Sequence, residues 1–384
     1  MTTPIASRPL VSVIIPAHNA QAFIASTVDS VCAQTFRDFE IVVVDDGSRD
    51  RTAEIVRAIA ERDGRVRLLS QPNLGVAAAR NRAIRESRGD YIAPLDADDI
   101  WYPRKLEQQV RALQGAAPSV GLVYAWSVYI DDAGRLTGGY YAHDLPRNVR
   151  AALIFRNLVG CSSVPLIRRE CFDRVGFYNE KYAEDGAQGC EDLDLYLRIA
   201  ERYEFLVVEE FLVGYRQSNA CLSADTARMA RSFYFVMRDC MARRPEIPQT
   251  VFRWSLSRQC FHLHGRARGY RQYRIGLALL LAAVWFDPSL LARRQFYRGL
   301  VAGPLRRLRL RARAAQSAEA VTLSGVAAQR AVRPTTLFED LGAIYHPRLR
   351  FTEQLLERGT RDYRDIGGPA LARDIHQPAG EPPA

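Results

Sequence analysis

Four stretches of the 384-residue chain concentrate side chains that can do chemistry. The densest is Asp96-Ala97-Asp98-Asp99, with three carboxylates in four residues. Such groups repel one another, and a divalent cation offsets that repulsion. Carboxylate oxygens suit Mg2+ or Mn2+, which take one or two of them and complete their shell with phosphate oxygens. The same residues also read as a solvated acidic turn in which Asp99 caps the next helix. Asp45-Asp46-Gly47-Ser48 reads as a turn with a helix cap, or as a carboxylate set to accept a hydrogen bond from a nucleobase N–H. Asn73-Leu74-Gly75 enters a small-residue helix, from which Arg80 either reaches a diphosphate or lies on the surface. Glu191-Asp192 opens a further helix. Acidic residues there stabilise the helix dipole, and a carboxylate at that place also suits a general base.

The elements that must position these groups alternate along the first hundred residues. Val11–Ile15 is a short run rich in β-branched residues and, like Ile41–Val44, reads as a buried strand; Val66–Leu69 and Tyr91–Leu95 read as a third and a fourth strand. Between them, Ala20–Gln34, Thr52–Glu61 and Val76–Glu86 carry the helical period. Phe23, Ile24, Val28 and Val31 share one face of the first. Strand and helix in alternation predict an α/β fold, a mostly parallel sheet flanked by helices. Ligands in such sheets sit beyond the carboxyl ends of the strands. The clusters Ala17-His18-Asn19, Asp45–Ser48 and Asp96–Asp99 fall at those ends. No G-x-G-x-x-G follows the first strand, which argues against a dinucleotide site. From residue 102 to 220 the pattern is mixed, with strands expected at Leu122–Ile130 and Phe205–Tyr215 and a helix at Asp192–Tyr203. Residues 225–312 read as mostly helical, with Trp254, Phe261, Leu277–Leu281 and Trp285 in the core and a break at Phe286-Asp287-Pro288. Gly367–Ala384 contains four prolines and reads as disordered.

Charge is uneven. The net charge is +10, and eight arginines with no acidic residue lie between Arg293 and Arg313. Tyr297, Leu300, Leu305, Leu308 and Leu310 sit among them, so the segment reads as a face for an anionic membrane surface, or as a solvated helix. The longest apolar run, Ile275–Phe286, is too short to span a bilayer. Neither a signal peptide nor a spanning segment is expected. Seven scattered cysteines without a C-x-x-C pair fit a reducing cytosol better than a disulfide framework.

Five segments in order resemble family 2 glycosyltransferases of the GT-A fold: Val11–Asn19 (VSVIIPAHN), Val44–Asp50 (VDDGSRD), Asn73–Asn81 (NLGVAAARN), Leu95–Asp99 (LDADD) and Glu191–Arg198 (EDLDLYLR). The resemblance covers roughly residues 8–220. The remainder is similar, more weakly, to the helical C-terminal extensions of some bacterial members. It implies residues 1–105 as the nucleotide-sugar-binding half and 106–224 as the acceptor-binding and catalytic-base half. A helical C-terminal region with the basic segment follows at 225–315, then a partly disordered extension at 316–384.

The resemblance also implies roles. Pro16, Ala17 and Asn19 line the nucleotide pocket. Asp46 binds the base and Asp45 supports its turn. Asp96 lies near the ribose or donor sugar, and Asp98 holds Mn2+ or Mg2+ on the diphosphate. Asp192 is the catalytic base, with Glu191 beside it, and Arg80 and Arg216 serve the donor. Many relatives carry Tyr-Arg-x-His, whereas this chain has Tyr215-Arg216-Gln217-Ser218 and lacks that histidine. The implied activity is inverting transfer of a sugar from a UDP-, dTDP- or GDP-sugar to a saccharide or lipid-linked acceptor in cell-surface polysaccharide or glycolipid synthesis. The implied place is the cytoplasm, or the periphery of the inner face of the cell membrane. A nucleotidyltransferase would need a Gly-rich basic loop after the first strand, which Ala17-His18-Asn19-Ala20 does not supply. A non-catalytic binder of nucleotide sugar or polysaccharide would have no use for both Asp98 and Asp192. A nucleic-acid partner, which is not expected, would account for the arginines but not for the aspartates.

Overall fold

A computed structural model describes residues 8–146, 148–217, 222–294, 296–297, 345 and 347–356. The first half alternates β1 (Val11–Ala17), α1 (Ile24–Cys32), β2 (Phe39–Asp46), α2 (Thr52–Ala60), β3 (Val66–Gln71), α3 (Val76–Glu86) and β4 (Tyr91–Pro94). Then come β5 (Ile100–Trp101), α4 (Lys105–Gln114), β6 (Val120–Ile130), β7 (Leu136–Tyr141), α5 (Val149–Phe155), β8 (Leu166–Arg168), α6 (Arg169–Val175), α7 (Lys181–Glu184), α8 (Glu191–Ala200) and β9 (Glu204–Arg216). Three long helices follow: α9 (Thr226–Arg243), α10 (Gln249–Gly269) and α11 (Tyr273–Phe286).

The strands form one sheet in the order β3-β2-β1-β4-β8-β6-β9-β5, and β7 pairs with β6. β1, β2, β3 and β4 are mutually parallel, as the alternation predicts. Every residue of β1 and β2 is buried, which requires helices on both faces and explains the unbroken apolar runs. Register sets the site: Ala17 stands opposite Asp45, Asp46 opposite Gln71, and Ile14 opposite Pro94. The polar strand ends therefore meet along one edge.

Some expectations change. α1 starts at Ile24 rather than Ala20, because Ala20 N donates to Thr52 Oγ1 (2.8 Å) and Gln21 N to Asp50 Oδ2 (3.1 Å), which holds the entry as a turn. Asp99 caps no helix: β5 follows it, and α4 begins only at Lys105. β5, β7 and β8 carry little sequence signal of their own and exist through their partners, β5 on β9, β7 in a hairpin with β6, and β8 between β4 and β6.

The largest correction concerns α11. It buries Gly276, Leu279 and Ala283 against α10, whereas Leu277, Leu281 and Trp285 are 57%, 62% and 77% exposed rather than in the core. Among the described residues no helix is long and apolar enough to cross a membrane, and six cysteines are free. The expected basic segment beyond Tyr297, Ser218, and nearly all of the extension at 316–384 lie outside the described residues.

Candidate active site

The strand ends open into a cavity of about 840 Å³. Pro16, Ala17, Asn19, Asp46, Arg80, Asp96, Asp98, Glu191 and Asp192 all line it, although they come from positions far apart in the chain. Asp45 and Arg216 do not. Asp45 Oδ1 accepts from Ser48 N (3.2 Å) within its own turn. Arg216 is buried, with Nε donating to Asp98 O (2.6 Å) and Nη1 to Asp132 O (2.9 Å), and its guanidinium lies over the Phe23 ring. It braces the loop that carries Asp98.

The β2 end is tied down by backbone donors. Asp46 Oδ1 accepts from Leu74 N (2.9 Å) and Gln71 Nε2 (2.8 Å), and Oδ2 accepts from Gly75 N (2.8 Å). Gly75 has φ +92°, and a Cβ there would meet Gln188 Nε2 at 2.6 Å, so the position needs glycine on two counts. Asn19 adopts φ +49°, a conformation asparagine tolerates better than most residues. Its N donates to Ser48 Oγ (2.9 Å) and its Oδ1 accepts from Arg49 N (2.9 Å), which joins the β1 loop to the β2 loop.

Arg80 is not a surface residue. α3 projects it inward, with its side chain only 3% exposed. Nη2 donates to Asp96 Oδ1 (2.6 Å) and Ser162 Oγ (2.7 Å), and Nη1 to Glu191 Oε1 (2.8 Å). Burial works against its charge, and Asp96 and Glu191 more than restore it, so its pKa lies well above the usual value. Glu191 Oε2 accepts from Gly189 N (2.8 Å).

The carboxylates divide by environment. Asp99 is fully buried and accepts from Ser163 Oγ (2.5 Å) and Arg216 N (2.8 Å). Burial, then Asp98 and Asp96, push its pKa well up. It cross-links the sheet. Both oxygens of Asp96 are engaged, Oδ1 by Arg80 and Oδ2 by Ser162 Oγ (2.7 Å). Asp98 is half-buried on the cavity wall. Among the described residues no three His, Cys, Asp or Glu side chains are grouped to hold a metal ion. An Mg2+ or Mn2+ ion does not require such a group, since it binds through one or two carboxylates plus phosphate oxygens. Asp98, a hard oxygen donor beside Asp96, fits that kind of site.

Asp192 stands at the first turn of α8. Its Oδ1 accepts from Leu193 N (2.7 Å) and its Oδ2 from Asn157 Nδ2 (3.2 Å). Burial, then the charge of Glu191, raises its pKa to about 7, with Arg80 opposing. Sequence reasoning missed Asn157. It also missed the stretch of α10 that lines the cavity with Arg258, Gln259, His262 and Arg266. The four-residue spacing of Arg258, His262 and Arg266 was the available signal. Nothing local says that α10 folds back over the sheet.

Removing Arg80 leaves Asp96 and Glu191 facing each other without their shared cation. Arg80→Ala is expected to lose about 3–5 kcal/mol of unfolding free energy in urea titrations. Arg80→Lys should recover only part, since an ammonium lacks the planar fork that reaches three partners.

The model of the "Glycosyl transferase family 2" family matches residues 12–176. A Bacillus subtilis glycosyltransferase provisionally assigned to teichuronic acid biosynthesis, TuaG, is 30% identical over 235 residues, covering 60% of this chain and 88% of the relative. An uncharacterised glycosyltransferase of Methanocaldococcus jannaschii is 26% identical over 254 residues, 65% of this chain and 85% of the relative. Escherichia coli chondroitin synthase is 32% identical over 193 residues, 50% of this chain and 27% of the relative. Among solved structures, a mannosyltransferase of Pyrobaculum calidifontis in complex with GDP-Man and Mn2+ superposes with a TM-score of 0.49 at 19% identity, covering 94% of this chain and 89% of that one. With the parallel strands β1 to β4, the ordered motifs and a relative of this similarity along most of its length, the chain belongs to glycosyltransferase family 2 and has the GT-A fold.

Proposed function

We propose that this glycosyltransferase is inverting and metal-dependent, and that it moves a sugar from a UDP-, dTDP- or GDP-sugar to an acceptor hydroxyl in cell-surface polysaccharide or glycolipid synthesis. The observation that carries this reading is a single cavity lined by both Asp98 and Asp192. The names of the Bacillus subtilis and Escherichia coli relatives support a polysaccharide product.

In this reading Pro16, Ala17 and Asn19 line the nucleotide pocket. Asp46 Oδ2 accepts from Gly75 N and keeps a lone pair for a base N–H. Asp96 lies near the ribose or the donor sugar. Asp98 would hold an Mn2+ or Mg2+ ion, which would supply positive charge against a leaving diphosphate. Arg80 and Arg216 act through others: Arg80 fixes Asp96 and Glu191, and Arg216 fixes the Asp98 loop.

Asp192 is the proposed general base. A sugar hydroxyl is a weak nucleophile at neutral pH, so its proton must pass to a base as the oxygen attacks. Asn157 and Leu193 N orient the carboxylate, and the proton goes to one of its oxygens. The acceptor oxygen bonds to the anomeric carbon while the bond from that carbon to the diphosphate oxygen breaks. One displacement inverts the configuration. Glu191, with Oε1 on Arg80 and Oε2 on Gly189 N, holds the first turn of α8 rather than competing for the proton.

A membrane-peripheral location belongs to the same proposal. Tyr273, Leu277, Leu281 and Trp285 recur every four residues on α11 and are all at least half exposed. Exposed Arg271, Arg274 and Arg294 flank them, which matches the charge of an anionic lipid surface.

A panel of UDP-, GDP- and dTDP-sugars, scored by nucleoside diphosphate release with manganese or magnesium, tests the activity. With the active donor, Asp192→Asn should retain donor binding and lose about 10²–10⁴-fold in kcat; transfer at the normal rate would remove Asp192 as the base. A base must be deprotonated, so kcat/KM should fall with decreasing pH below about 7 and level off above it. Asp98→Asn should abolish the difference between donor affinities measured with and without manganese. For the location, the full chain should sediment with phosphatidylcholine vesicles containing phosphatidylglycerol and not with phosphatidylcholine alone, and Leu281→Glu combined with Trp285→Glu should release it.

A further inference from the structure

The cavity has two electrostatic sides. Its carboxylates, Asp46, Asp96, Asp98, Glu191 and Asp192, all come from the sheet ends and the start of α8. In the same cavity α10 presents Arg258, His262 and Arg266, one stripe at four-residue spacing, and Arg156 at the end of α5 acts on His262 together with those arginines. None of the remaining described lining residues is acidic.

The two α10 arginines donate to neutral oxygens. Arg258 Nη1 donates to Phe155 O (2.7 Å), and Arg266 Nη2 donates to Ser223 O (2.9 Å) and Tyr270 OH (3.4 Å). Like charges thus crowd one wall. Burial and Arg156 lower the pKa of Arg258 to about 10. His262 is exposed to the cavity, and the surrounding protein, then Arg258, Arg156 and Arg266, lower its pKa to about 3. A cluster of this kind is unfavourable alone and becomes favourable when an anion enters.

The cluster connects to the proposed base. Arg156 Nε donates to Tyr141 OH (2.9 Å), that hydroxyl donates to Asn157 O, and Asn157 Nδ2 donates to Asp192 Oδ2 (3.2 Å). A molecule presenting a hydroxyl to Asp192 would extend its neighbouring groups toward the arginines, along a wall that also holds Tyr129, Tyr141 and Tyr215.

We propose that the acceptor is anionic, a saccharide or lipid-linked glycan bearing a carboxylate or phosphate near the reacting hydroxyl, and that Arg258, Arg266 and Arg156 bind that group. Guanidinium groups hold carboxylates and phosphates through paired hydrogen bonds, which fixes orientation as well as affinity. The inference rests on Asp192 marking the acceptor side of the cavity.

The test uses the full chain and its active donor with four acceptor probes: methyl glucoside, methyl glucuronide, the amide of methyl glucuronide, and glucose 6-phosphate. Either or both anionic probes should exceed the neutral ones by about tenfold or more in kcat/KM, the effect of one charge-assisted hydrogen bond. Preference for the glucuronide identifies a carboxylate, and preference for the sugar phosphate a phosphate. Arg266→Gln should bring the anionic-to-neutral ratio toward one, and Arg266→Lys should keep most of it. Both variants are checked for an unchanged melting temperature. Calorimetric titration of methyl glucuronide and glucose 6-phosphate into the chain reads anion binding without turnover. Equal use of neutral and anionic probes, or an Arg266→Gln variant that weakens only donor binding, overturns the proposal. No nucleoside diphosphate from any donor, with saturable anion binding still lost in Arg266→Gln, would instead sink the transferase reading and leave the anion site standing.

Discussion

Arg80 carries one positive charge buried between two carboxylates that lie 16 and 111 residues away along the chain. Burying a lone guanidinium there would cost its hydration, which the two carboxylates offset through direct hydrogen bonds. The three groups are stable only together, and they belong to different structural units. Asp96 follows β4, Arg80 comes from α3, and Glu191 opens α8. The interaction therefore sets how the parallel strands meet the helix carrying Asp192. It also explains why Glu191, adjacent to the proposed base, is occupied as a structural anion.

The helical layer completes what the sheet begins. α10 has two working faces. Ser257 Oγ donates to Ala283 O (2.8 Å) and His264 Nδ1 contacts Gly276 O (2.8 Å), which seats α11 on one side. Arg258, His262 and Arg266 form the cavity wall on another. Serine hydroxyls and small residues at the α10–α11 seam allow close approach. Consequently α11 has few large buried side chains and an unusually apolar outer surface.

Much of the fold was legible because parallel, doubly covered strands write themselves as apolar β-branched runs, and β1 and β2 do so. Strand ends were legible too, since polar clusters interrupt those runs where the sheet stops. What the chain could not disclose locally depended on distant partners. β8 is three residues long and exists by pairing with β4 and β6. Arg80 looked equally like a surface arginine, because its burial requires Glu191 to arrive from the far end of the domain. Leu277, Leu281 and Trp285 read as core because an apolar residue announces a preference for leaving water, not the neighbour that will cover it. Asn157 carried no signal, being a single amide in an irregular loop.

The link between the proposed base and α9 has a mechanical side. Cys190 N, the residue before α8, donates to Ser232 Oγ on α9 (2.9 Å), and a side chain at Gly189 would collide with Met229 Sδ on the same helix. The entry to α8 is thus clamped from behind by the helical layer, with no side chain at Gly189 to wedge the two apart. Sequence drift on the α10 cavity face can reshape one wall while this clamp and the sheet keep the opposite wall in register. In the proposed reading, such an architecture lets donor handling stay fixed while the choice of what receives the sugar diverges from one descendant to the next.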